Sequence, residues 1–519
     1  MKVHLMFPDT DFSASRVRPS TEPLPESARD LARDLDLSTI WAAMADGNPH
    51  LWEVARSATL SLATEPQTVR FRQEVLSDFR THPEAARQLY ELACDAIKGQ
   101  KRVHDTLRRT PASTLRRSIE ALELLLGHLR RLRAFADAYE GRIASEGVMG
   151  LIATLLEELD DQWFTEVTAH LARLRFKDGV WMSAQLGAGN RGTAYVLRMP
   201  RDVQTSDRNG ARKGWKRQVG AHAPRAFSFE VHPRDEAGRE ALARFEDRGL
   251  NLVANALAQS TDHILDFFAQ LRTEVAFYLG CLNLERRLGS IGAPLCTPEP
   301  IGVGTVAMLS AEGVYDPALV LRTGALAVGN DVDADGRKLV MITGANSGGK
   351  STFLRAIGLA QLMMQCGMQA SATRYRASLC DALFTHFTRG EVPSMARGRF
   401  DEELSRMRAI AERLTPRSMV LFNESFAGTA VREGSEVARE IVQALLEAGV
   451  RLLFVTHLYD LAESLFMETA GPALFLRAER RGDGERTFKV LEGAPLSTSF
   501  APDLYERIGG FRPLRSANE

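Results

Sequence analysis

One eight-residue motif constrains this chain more than any other feature. The segment Gly344–Ser351 reads G-A-N-S-G-G-K-S and satisfies the pattern G-x-x-x-x-G-K-[S/T]. The apolar run Leu339–Thr343 before it predicts a strand, and the residues from Thr352 onward predict a helix. A glycine-rich turn with an incidental lysine lacks that context, whereas a loop between a strand and a helix presents backbone N–H groups to phosphates. The motif therefore predicts a nucleotide-phosphate loop.

The rest of this site is predicted from the residues at the end of the loop and from the residues that follow two later strands. Lys350 is expected to reach the β- and γ-phosphates, and the Ser351 hydroxyl is expected to bind Mg²⁺. A predicted strand, Met419–Phe422, ends in Asn423-Glu424, where Glu424 fits a general base. Another, Leu452–Val455, ends in Thr456-His457, and His457 is expected to sense the γ-phosphate or polarise water rather than serve only as a structural hydrogen-bonder.

Asn423 occupies the place where a nucleotide hydrolase usually has an acidic residue that holds the magnesium shell. An amide oxygen can accept a hydrogen bond from magnesium-bound water, but it adds no negative charge. The hypothesis is that Mg²⁺ binding is weakened and turnover is slow.

The organisation of the chain places this motif in its second half. Residues before it are helical in pattern, most clearly Ser113–Tyr139 with its leucine stripe and with Ser113 or Thr114 as the expected cap. A hairpin or a small sheet excursion is predicted within Val180–Leu197, before the basic segment Arg201–Arg225 of local charge +5. A helical pattern returns over Asp235–Arg287, so the hairpin and the basic segment form a tip between two helices.

The proline-rich stretch Pro294–Pro300 predicts a boundary, and four short apolar strands follow it. Three were named above, and the fourth is Ala473–Leu476. Helical segments separate the first three strands, which predicts an α/β domain with a largely parallel sheet. The predicted fold class is therefore multidomain, with an all-α part followed by an α/β P-loop domain.

Composition excludes some classes of protein. The 519 residues carry 65 Lys and Arg against 66 Asp and Glu, so the net charge of −1 gives no whole-chain case for nucleic-acid binding. The sequence contains no run of about 18 apolar residues, so no membrane span is predicted. The five cysteines are odd in number and form no C-x-x-C pair, which favours reduced thiols in a cytoplasmic protein.

Together the motifs resemble the ATPase domain of the MutS family of DNA mismatch repair proteins. Thr343–Thr352 is similar to the family's T-G-P-N-x-x-G-K-S-T, with Ala345 in place of proline. Asn423–Ala430 resembles D-E-x-x-x-G-T-S, Val455–His457 matches A-T-H, and Asp381–Thr385 resembles the segment after the phosphate loop. The resemblance implies a nucleotide site whose binding residues are Asn330, Gly344, Asn346, Gly348, Gly349, Lys350, Ser351 and Thr352, with Ser351, Asn423 and Glu424 at the metal.

The family's dimer signature, S-T-F-x-x-E-M, is altered here. The corresponding stretch reads Gly398-Arg399-Phe400-Asp-Glu-Glu403-Leu404, so the phenylalanine and the glutamate carry over and the Ser and Thr do not. In the family that serine reaches the γ-phosphate of the dimer partner. The resemblance implies that the Gly398 backbone, Arg397 or Arg399 takes the place of that serine. The alternative is that both arginines merely face solvent.

The N-terminal half resembles the family's helical core. Thr68–Leu76 is similar to its I-x-x-R-Q-x-x-V element. The resemblance implies an all-α core at 1–150, lever helices with a small basic tip at 151–294, and an α/β P-loop ATPase domain of the ABC type with its dimerisation elements at 295–519. These domains leave no room for the family's mismatch-reading domains, so the expectation is a short MutS-related protein that is not a mismatch-specific reader.

The resemblance implies a homodimeric, cytoplasmic ATPase that uses ATP and Mg²⁺ and binds DNA of unknown structure, with ATP-driven closure transmitted by the levers. The candidate DNA contacts in the basic segment are Arg208, Arg212, Lys213, Trp215, Lys216 and Arg217. A solvated loop is the alternative for that segment. The alternative function is an ATP-gated dimeric interaction module with negligible hydrolysis. A transporter subunit is disfavoured because no L-S-G-G-Q signature is found.

Overall fold

The computed structural model describes residues 2–8, 24–101, 110–177, 179–190, 192–198, 231–232, 234–302, 304, 306–389, 398–468, 473–480 and 486–495. The chain divides into two compact units. The first contains Glu91–Ala138 and Ala153–Ala269, and the second contains Lys2–Tyr90, Tyr139–Ile152 and Gln270–Glu519. The basic segment Arg201–Arg225, with all six candidate DNA contacts, and Arg397 lie outside the described residues.

Helices dominate the described part of the first 290 residues, which confirms the prediction for this half. Their bounds are α1 Glu26–Asp34, α2 Leu37–Ala45, α3 Pro49–Thr59, α4 Pro66–Thr81, α5 Pro83–Lys101, α6 Pro111–Tyr139, α7 Glu146–Glu158, α8 Asp161–Leu174 and α9 Glu236–Ser290. Helices α3 to α6 each begin with proline, whose missing N–H costs no intrahelical hydrogen bond at that position. In the part of the chain that the structure describes, no helix has the length and apolar composition needed to cross a bilayer.

The leucine stripe of α6 is buried as predicted. Leu125 and Leu129 are fully buried, and Leu115, Ile119, Leu122 and Leu126 are nearly so. The predicted cap was wrong, because the helix begins two residues before Ser113. Thr110 Oγ1 accepts a hydrogen bond from the Ser113 N–H, and Ser113 Oγ accepts one from the Thr110 N–H. This reciprocal pairing satisfies two backbone donors at the helix start.

Of the two alternatives predicted within Val180–Leu197, the structure shows the hairpin, in the first unit. Strand β1, Met182–Leu186, pairs antiparallel with β2, Gly192–Leu197, and a short 3-10 turn at Ala188–Asn190 lies between them.

The second unit contains the α/β part. Its elements are β3 Glu299–Ile301, β4 Leu309–Val314, α10 Pro317–Thr323, β5 Asn330–Asp333, β6 Leu339–Thr343, α11 Lys350–Gln365, β7 Arg374–Ser378, β8 Leu383–Phe387, α12 Arg399–Ala411, β9 Met419–Asn423, α13 Val431–Glu447, β10 Arg451–Val455, α14 Tyr459–Glu468, β11 Ala473–Arg480 and β12 Arg486–Glu492. Among the described residues, six strands form one sheet in the order β12-β11-β6-β10-β9-β8. Only β12 runs antiparallel to its neighbour. The predicted strands and the largely parallel sheet are confirmed.

The core of this sheet is built from its central strands. Phe422 of β9 and Phe454 of β10 stack with ring centroids 4.9 Å apart, and Val442 of α13 and Leu465 of α14 pack in the same buried cluster. All five residues of β6 and of β10 are buried. Burial on both faces explains why these strands read as continuous apolar runs rather than as alternating ones.

Three parts of the α/β architecture were not predicted, and one of them is the antiparallel edge strand β12. Strand β8 reads L-F-T-H-F, and its buried threonine and histidine interrupt the apolar run by which the other strands were found. A second sheet, of order β3-β7-β4-β5, consists of short strands with mixed polar and apolar residues.

Within the second unit, a buried joint connects the first residues of the chain to helix α11. Arg72 of α4 is fully buried, and its guanidinium donates to the carbonyls of Met6 (2.8 Å) and Cys366 (3.4 Å). The Glu274 carboxylate of α9 accepts from the N–H groups of Leu5 and Met6 at 2.7 and 3.1 Å. Gln73 donates to the Pro298 carbonyl at 2.8 Å. The Arg-Gln pair singled out in the sequence therefore forms structural hydrogen bonds to three separate segments.

The burial of Glu274 predicts a pH dependence of stability. Burial raises the pKa of this carboxyl to about 7, although hydrogen bonds from Leu5, Gln270 and Met6 and the charge of Arg72 oppose the rise. Because the pKa is higher in the folded than in the unfolded chain, folding takes up a proton, and stability is lost as pH rises toward 7. Glu274→Gln removes this titration and keeps an acceptor oxygen.

We therefore expect the free energy of unfolding of the wild type, relative to Glu274→Gln, to fall by at most about 3 kcal/mol between pH 5 and pH 8. Urea titrations of both proteins at the two pH values measure this difference. A difference that stays constant or grows with pH contradicts the prediction. Burial also raises the pKa of Glu285 to about 7. Glu285 is present in both proteins, so its contribution to the difference in free energy cancels.

Candidate functional site

The loop Gly344–Gly349 connects β6 to α11 and adopts a tightly wound path. Gly344 and Gly349 have φ values of +110° and +90°, in the left-handed region that disfavours residues with a side chain. A Cβ at Gly344 would lie 2.9 Å from the Ala478 backbone nitrogen of β11. Both the conformation and the close approach therefore require glycine at position 344. Asn346 is exposed on this loop.

Lys350 begins α11 and folds back into the loop. Its ammonium group donates to the carbonyls of Gly344 and Ala345, both at 2.9 Å, and the residue is only 4% exposed. Burial lowers the pKa of Lys350, the carboxylate of Glu424 opposes that shift, and the nearby charge of Arg486 adds to it. The ammonium is thus held where the loop encloses it.

The two residues expected to hold Mg²⁺ meet directly. The Ser351 hydroxyl donates to the Asn423 side-chain oxygen at 2.8 Å. Asn423 ends β9, whereas Ser351 follows β6 by eight residues, and β10 lies between the two strands. The carboxyl ends of parallel strands share one edge of the sheet, which is why residues 72 positions apart in sequence come together.

Glu424 lies at the same edge in a left-handed conformation, with φ of +54°. Its N–H donates to the Val455 carbonyl at 2.8 Å, and its carbonyl accepts from the Thr388 hydroxyl. The Glu424 carboxylate lies 4.0 Å from Nδ1 of His457, and these side chains are 36% and 40% exposed. The acid and the histidine singled out in the sequence are thus adjacent and open to solvent.

A cavity of about 440 Å³ adjoins these residues. Part of its lining comes from the loop and the start of α11, including Gly348, Gly349, Lys350, Ser351 and Thr352, together with Glu424. The rest of the lining is more apolar and includes Tyr315, Leu319, Leu326, Val328 and Phe488. The volume lies within the range of small-molecule sites.

Asn330, another predicted site residue, lines the cavity and is held by β12. Its side-chain oxygen accepts from the Val490 N–H at 2.8 Å, and its amide group donates to the Phe488 carbonyl at 3.2 Å. The buried amide therefore anchors the strand that carries Phe488, whose φ is +57°.

Sequence reasoning missed the apolar residues that line the cavity. Leu326 and Val328 carry a weak signal, because they form a short apolar stretch just before Asn330. Phe488 carries none, because its place beside the cavity depends on an amide 158 residues away.

The altered signature segment forms the start of α12. Gly398 precedes the helix, and its carbonyl accepts from the Glu402 N–H at 3.1 Å. A Cβ at Gly428 would lie 3.1 Å from the Phe400 nitrogen, so the helix start abuts the turn that follows Glu424. Arg399 Nε lies 3.6 Å from the fully buried Glu403 carboxylate. Arg399 is therefore engaged within its own chain rather than simply facing solvent.

Comparison with known proteins gives matches over both halves of the chain. The model of the MutS2 N-terminal domain matches residues 64–291, and that of MutS domain V matches residues 340–493. A DNA mismatch repair protein MutS from Chloroflexus aurantiacus is 31% identical over 180 residues, 31% of this chain and 19% of that protein. The MutS of Synechococcus sp. (strain CC9902) is 26% identical over 386 residues, 69% of this chain and 40% of the relative.

A MutS from Microcystis aeruginosa is 25% identical over 522 residues, which cover 86% of this chain and 57% of the relative. The chain thus spans between 19% and 57% of the length of these three relatives. The two family models cover the helical half and the phosphate-loop half, and the relatives carry the same family name. On these matches, the chain belongs to the MutS family.

Proposed function

We propose that this protein is a MutS-like, ATP-dependent DNA-binding ATPase that acts as a homodimer. The observation that carries the proposal is the hydrogen bond between Ser351 and Asn423, beside a cavity that Lys350, Glu424 and the glycine loop line. It joins the phosphate-loop helix to the strand that presents the acid. The names of the relatives, which are DNA mismatch repair proteins, support DNA as the partner.

The cavity suits ATP. Lys350 lies within the loop, where the exchange of its two carbonyl partners for β- and γ-phosphate oxygens needs little movement. The loop N–H groups and the start of α11 supply further donors. The apolar lining residues, which include Leu326, Val328 and Phe488, suit the base. Asn330, Gly344, Asn346, Gly348, Gly349 and Thr352 complete the proposed binding set.

The donor set at the carboxyl edge suits Mg²⁺. The Ser351 hydroxyl, the Asn423 amide oxygen and the Glu424 carboxylate are all oxygen ligands of the kind that Mg²⁺ and its bound waters prefer. When bound, the ion neutralises charge on the phosphates. Asn423 contributes no charge, so we propose weak magnesium binding and slow turnover.

Glu424 is proposed to accept the proton of the attacking water. Its carboxylate is solvent-accessible and adjoins the cavity, as a general base requires. His457, 4.0 Å away, orients that water or senses the γ-phosphate from the end of the neighbouring strand.

The remaining assignments are parts of the same proposal. Residues 1–150 form the helical core, 151–294 the lever helices with a reduced clamp-like tip, and 295–519 the P-loop ATPase domain, in a cytoplasmic protein. ATP closes two ATPase domains, and the levers transmit the closure to DNA without mismatch-specific reading.

Gly398, Phe400 and Glu403 belong to the dimer signature. Because Glu403 holds Arg399, the Gly398 backbone or Arg397 is favoured for contact with the partner's nucleotide.

Asn423 also favours a second candidate, an ATP-gated dimeric interaction module with negligible hydrolysis. Tight ATP binding and ATP-dependent dimerisation without product formation would favour this candidate over the ATPase. Measuring ATP hydrolysis and dimerisation with duplex, mismatched, single-stranded and branched DNA separates the two functions. Stimulation by one form of DNA would also identify the preferred substrate.

The first prediction from the proposed function concerns nucleotide binding. Lys350→Ala removes the cation inside the loop, so we expect ATP affinity to fall roughly tenfold to hundredfold. Fluorescence titration with a labelled ATP analogue measures the change. Lys338→Ala is the matched control, because Lys338 is exposed just before β6. Unchanged affinity in Lys350→Ala, or an equal loss in the control, contradicts the assignment.

The second prediction concerns the metal. Asn423→Asp keeps an oxygen that can accept from Ser351 and adds a negative charge. We expect the magnesium concentration at half-maximal ATPase activity to fall roughly tenfold, which is about 1.4 kcal/mol, and the maximal rate to rise. Steady-state rates across a magnesium titration test this. The hypothesis fails if the rate and the magnesium dependence are both unchanged.

The third prediction concerns DNA. Reversing the charge of Arg208, Arg212, Lys213, Lys216 and Arg217 should weaken DNA binding and flatten its salt dependence by roughly 0.9 per lost phosphate contact on duplex DNA. Anisotropy titrations at several salt concentrations measure both effects. Arg374→Glu, at a side chain that is 78% exposed in the second unit, controls for a general charge effect. Unchanged affinity and slope would favour the solvated-loop alternative.

A further inference from the structure

A buried histidine of β8, His386, contacts two segments of the candidate site. Its Nδ1 lies 2.8 Å from the Ser425 hydroxyl, in the residue that follows Glu424. Its Nε2 lies 3.0 Å from the backbone carbonyl of Glu403 in α12. His386, Ser425 and Glu403 are all fully buried. One side chain thus joins the turn that carries Glu424 to the helix that carries the signature.

The chemistry of the partners fixes which nitrogen carries the proton. Burial lowers the pKa of His386 to about 3, and the charges of Arg406 and Arg389 add to that shift. The ring is therefore neutral and donates through one nitrogen only. Because the Glu403 carbonyl can only accept, the proton is assigned to Nε2, and Nδ1 faces the Ser425 hydroxyl as an acceptor. That hydroxyl also donates to the His386 backbone carbonyl, so both the ring and the backbone of His386 hold Ser425, while the ring N–H is directed at α12.

The ring is also fixed in orientation by two phenylalanines. It stacks on Phe426 with centroids 5.2 Å apart and planes 17° apart, and it lies 5.8 Å from the ring of Phe422. Both phenylalanines belong to the strand and turn that carry Glu424. The imidazole therefore cannot rotate away from Ser425 without losing these contacts.

The turn that carries Glu424 has an unusual backbone that depends on its neighbours. Glu424 and Phe426, on either side of Ser425, have φ values of +54° and +65°. Such conformations cost free energy in residues with a side chain and persist where the surroundings hold them. At the end of β8, Thr388 N–H donates to the Asn423 carbonyl at 3.0 Å, and its hydroxyl donates to the Glu424 carbonyl.

The end of β8 is attached to α12 as firmly as it is to the turn. Arg406 of α12 donates to the Phe387 carbonyl at 3.1 Å. Arg389 donates to the Glu402 carboxylate at 2.9 Å. With the His386 bond to Glu403, three contacts, at Glu402, Glu403 and Arg406, connect residues 386–389 to the helix. A continuous path of contacts therefore runs from the start of α12 to the backbone beside Glu424.

We propose that His386 is a positioning residue that couples the place of α12 to the orientation of Glu424 through Ser425. The inference rests on the proposed ATPase function, in which Glu424 is the general base and α12 carries the dimer signature. His386 touches neither nucleotide nor metal in this arrangement. It acts on hydrolysis and leaves nucleotide binding at Lys350 and Ser351 unaffected.

The test is Ser425→Ala in the full-length chain, which removes one buried hydroxyl. We expect kcat for ATP hydrolysis to fall about tenfold, with KM for ATP and the stoichiometry of nucleotide binding unchanged. Ser418→Ala is the matched control, because Ser418 is also fully buried and lies just before the opposite end of β9. That variant should retain wild-type kcat.

A double-mutant cycle tests the coupling itself. Phe400→Ala perturbs the start of α12 and should lower kcat in the wild-type background but add little to Ser425→Ala. Wild-type kcat in Ser425→Ala, a loss of binding stoichiometry that explains the lower rate, or fully additive effects with Phe400→Ala would each overturn the inference.

A spectroscopic measurement separates this inference from the proposed function. Spectra of ¹⁵N-histidine protein, with His386→Phe for assignment, should show a neutral ring protonated at Nε2 from pH 5.5 to 8, whose shifts change when ATP is added. If the wild type binds ATP but does not hydrolyse it, the ATPase proposal fails on that result alone. A His386 signal that is charged in this range, or that ATP leaves unchanged, overturns the inference whatever the hydrolysis result.

Discussion

The parallel pairing of β6, β10 and β9 is the constraint on which the candidate site depends. Its register aligns Val455 with Ile342 on one side and with Asn423 on the other. The residues that follow these three positions therefore emerge together at one edge of the sheet. The phosphate loop, Glu424 and His457 owe their proximity to that register, and a slip of one residue would send alternate side chains to the opposite face.

Around this edge, most functional side chains are held by backbone groups from other elements. Lys350 is bonded to loop carbonyls, Asn330 anchors β12, and Thr388 and His386 hold the turn at Glu424. Backbone partners fix positions without adding charge. The electrostatic character of the site is therefore set by Lys350, Glu424 and the nearby Arg486, and by the missing charge at Asn423.

The helical half contributes to this architecture through a buried cation. Arg72 donates to the Met6 carbonyl and to the Cys366 carbonyl at the end of α11. The helix that begins at the phosphate loop is therefore hydrogen-bonded at its carboxyl end to a side chain of α4. A fully buried guanidinium requires such partners because an unpaired buried charge is costly. The Arg72-Gln73 pair, which resembles a family element, is thus a structural joint within the second unit.

The sequence by itself determined the elements whose information is local. The strand before the loop, the glycine–lysine motif, the helix α6 and the hairpin follow from spacing and periodicity over short windows. Only the tertiary structure revealed β8, β12, the second sheet, the Thr110 cap, Phe488 beside the cavity and the buried contacts of His386. The physical reason is common to most of these: a polar residue becomes favourable inside a core once a distant partner satisfies it, as the Asn330 amide and the Phe488 carbonyl do across 158 residues. Periodicity is blind to that partner, because it exists only after the chain has folded.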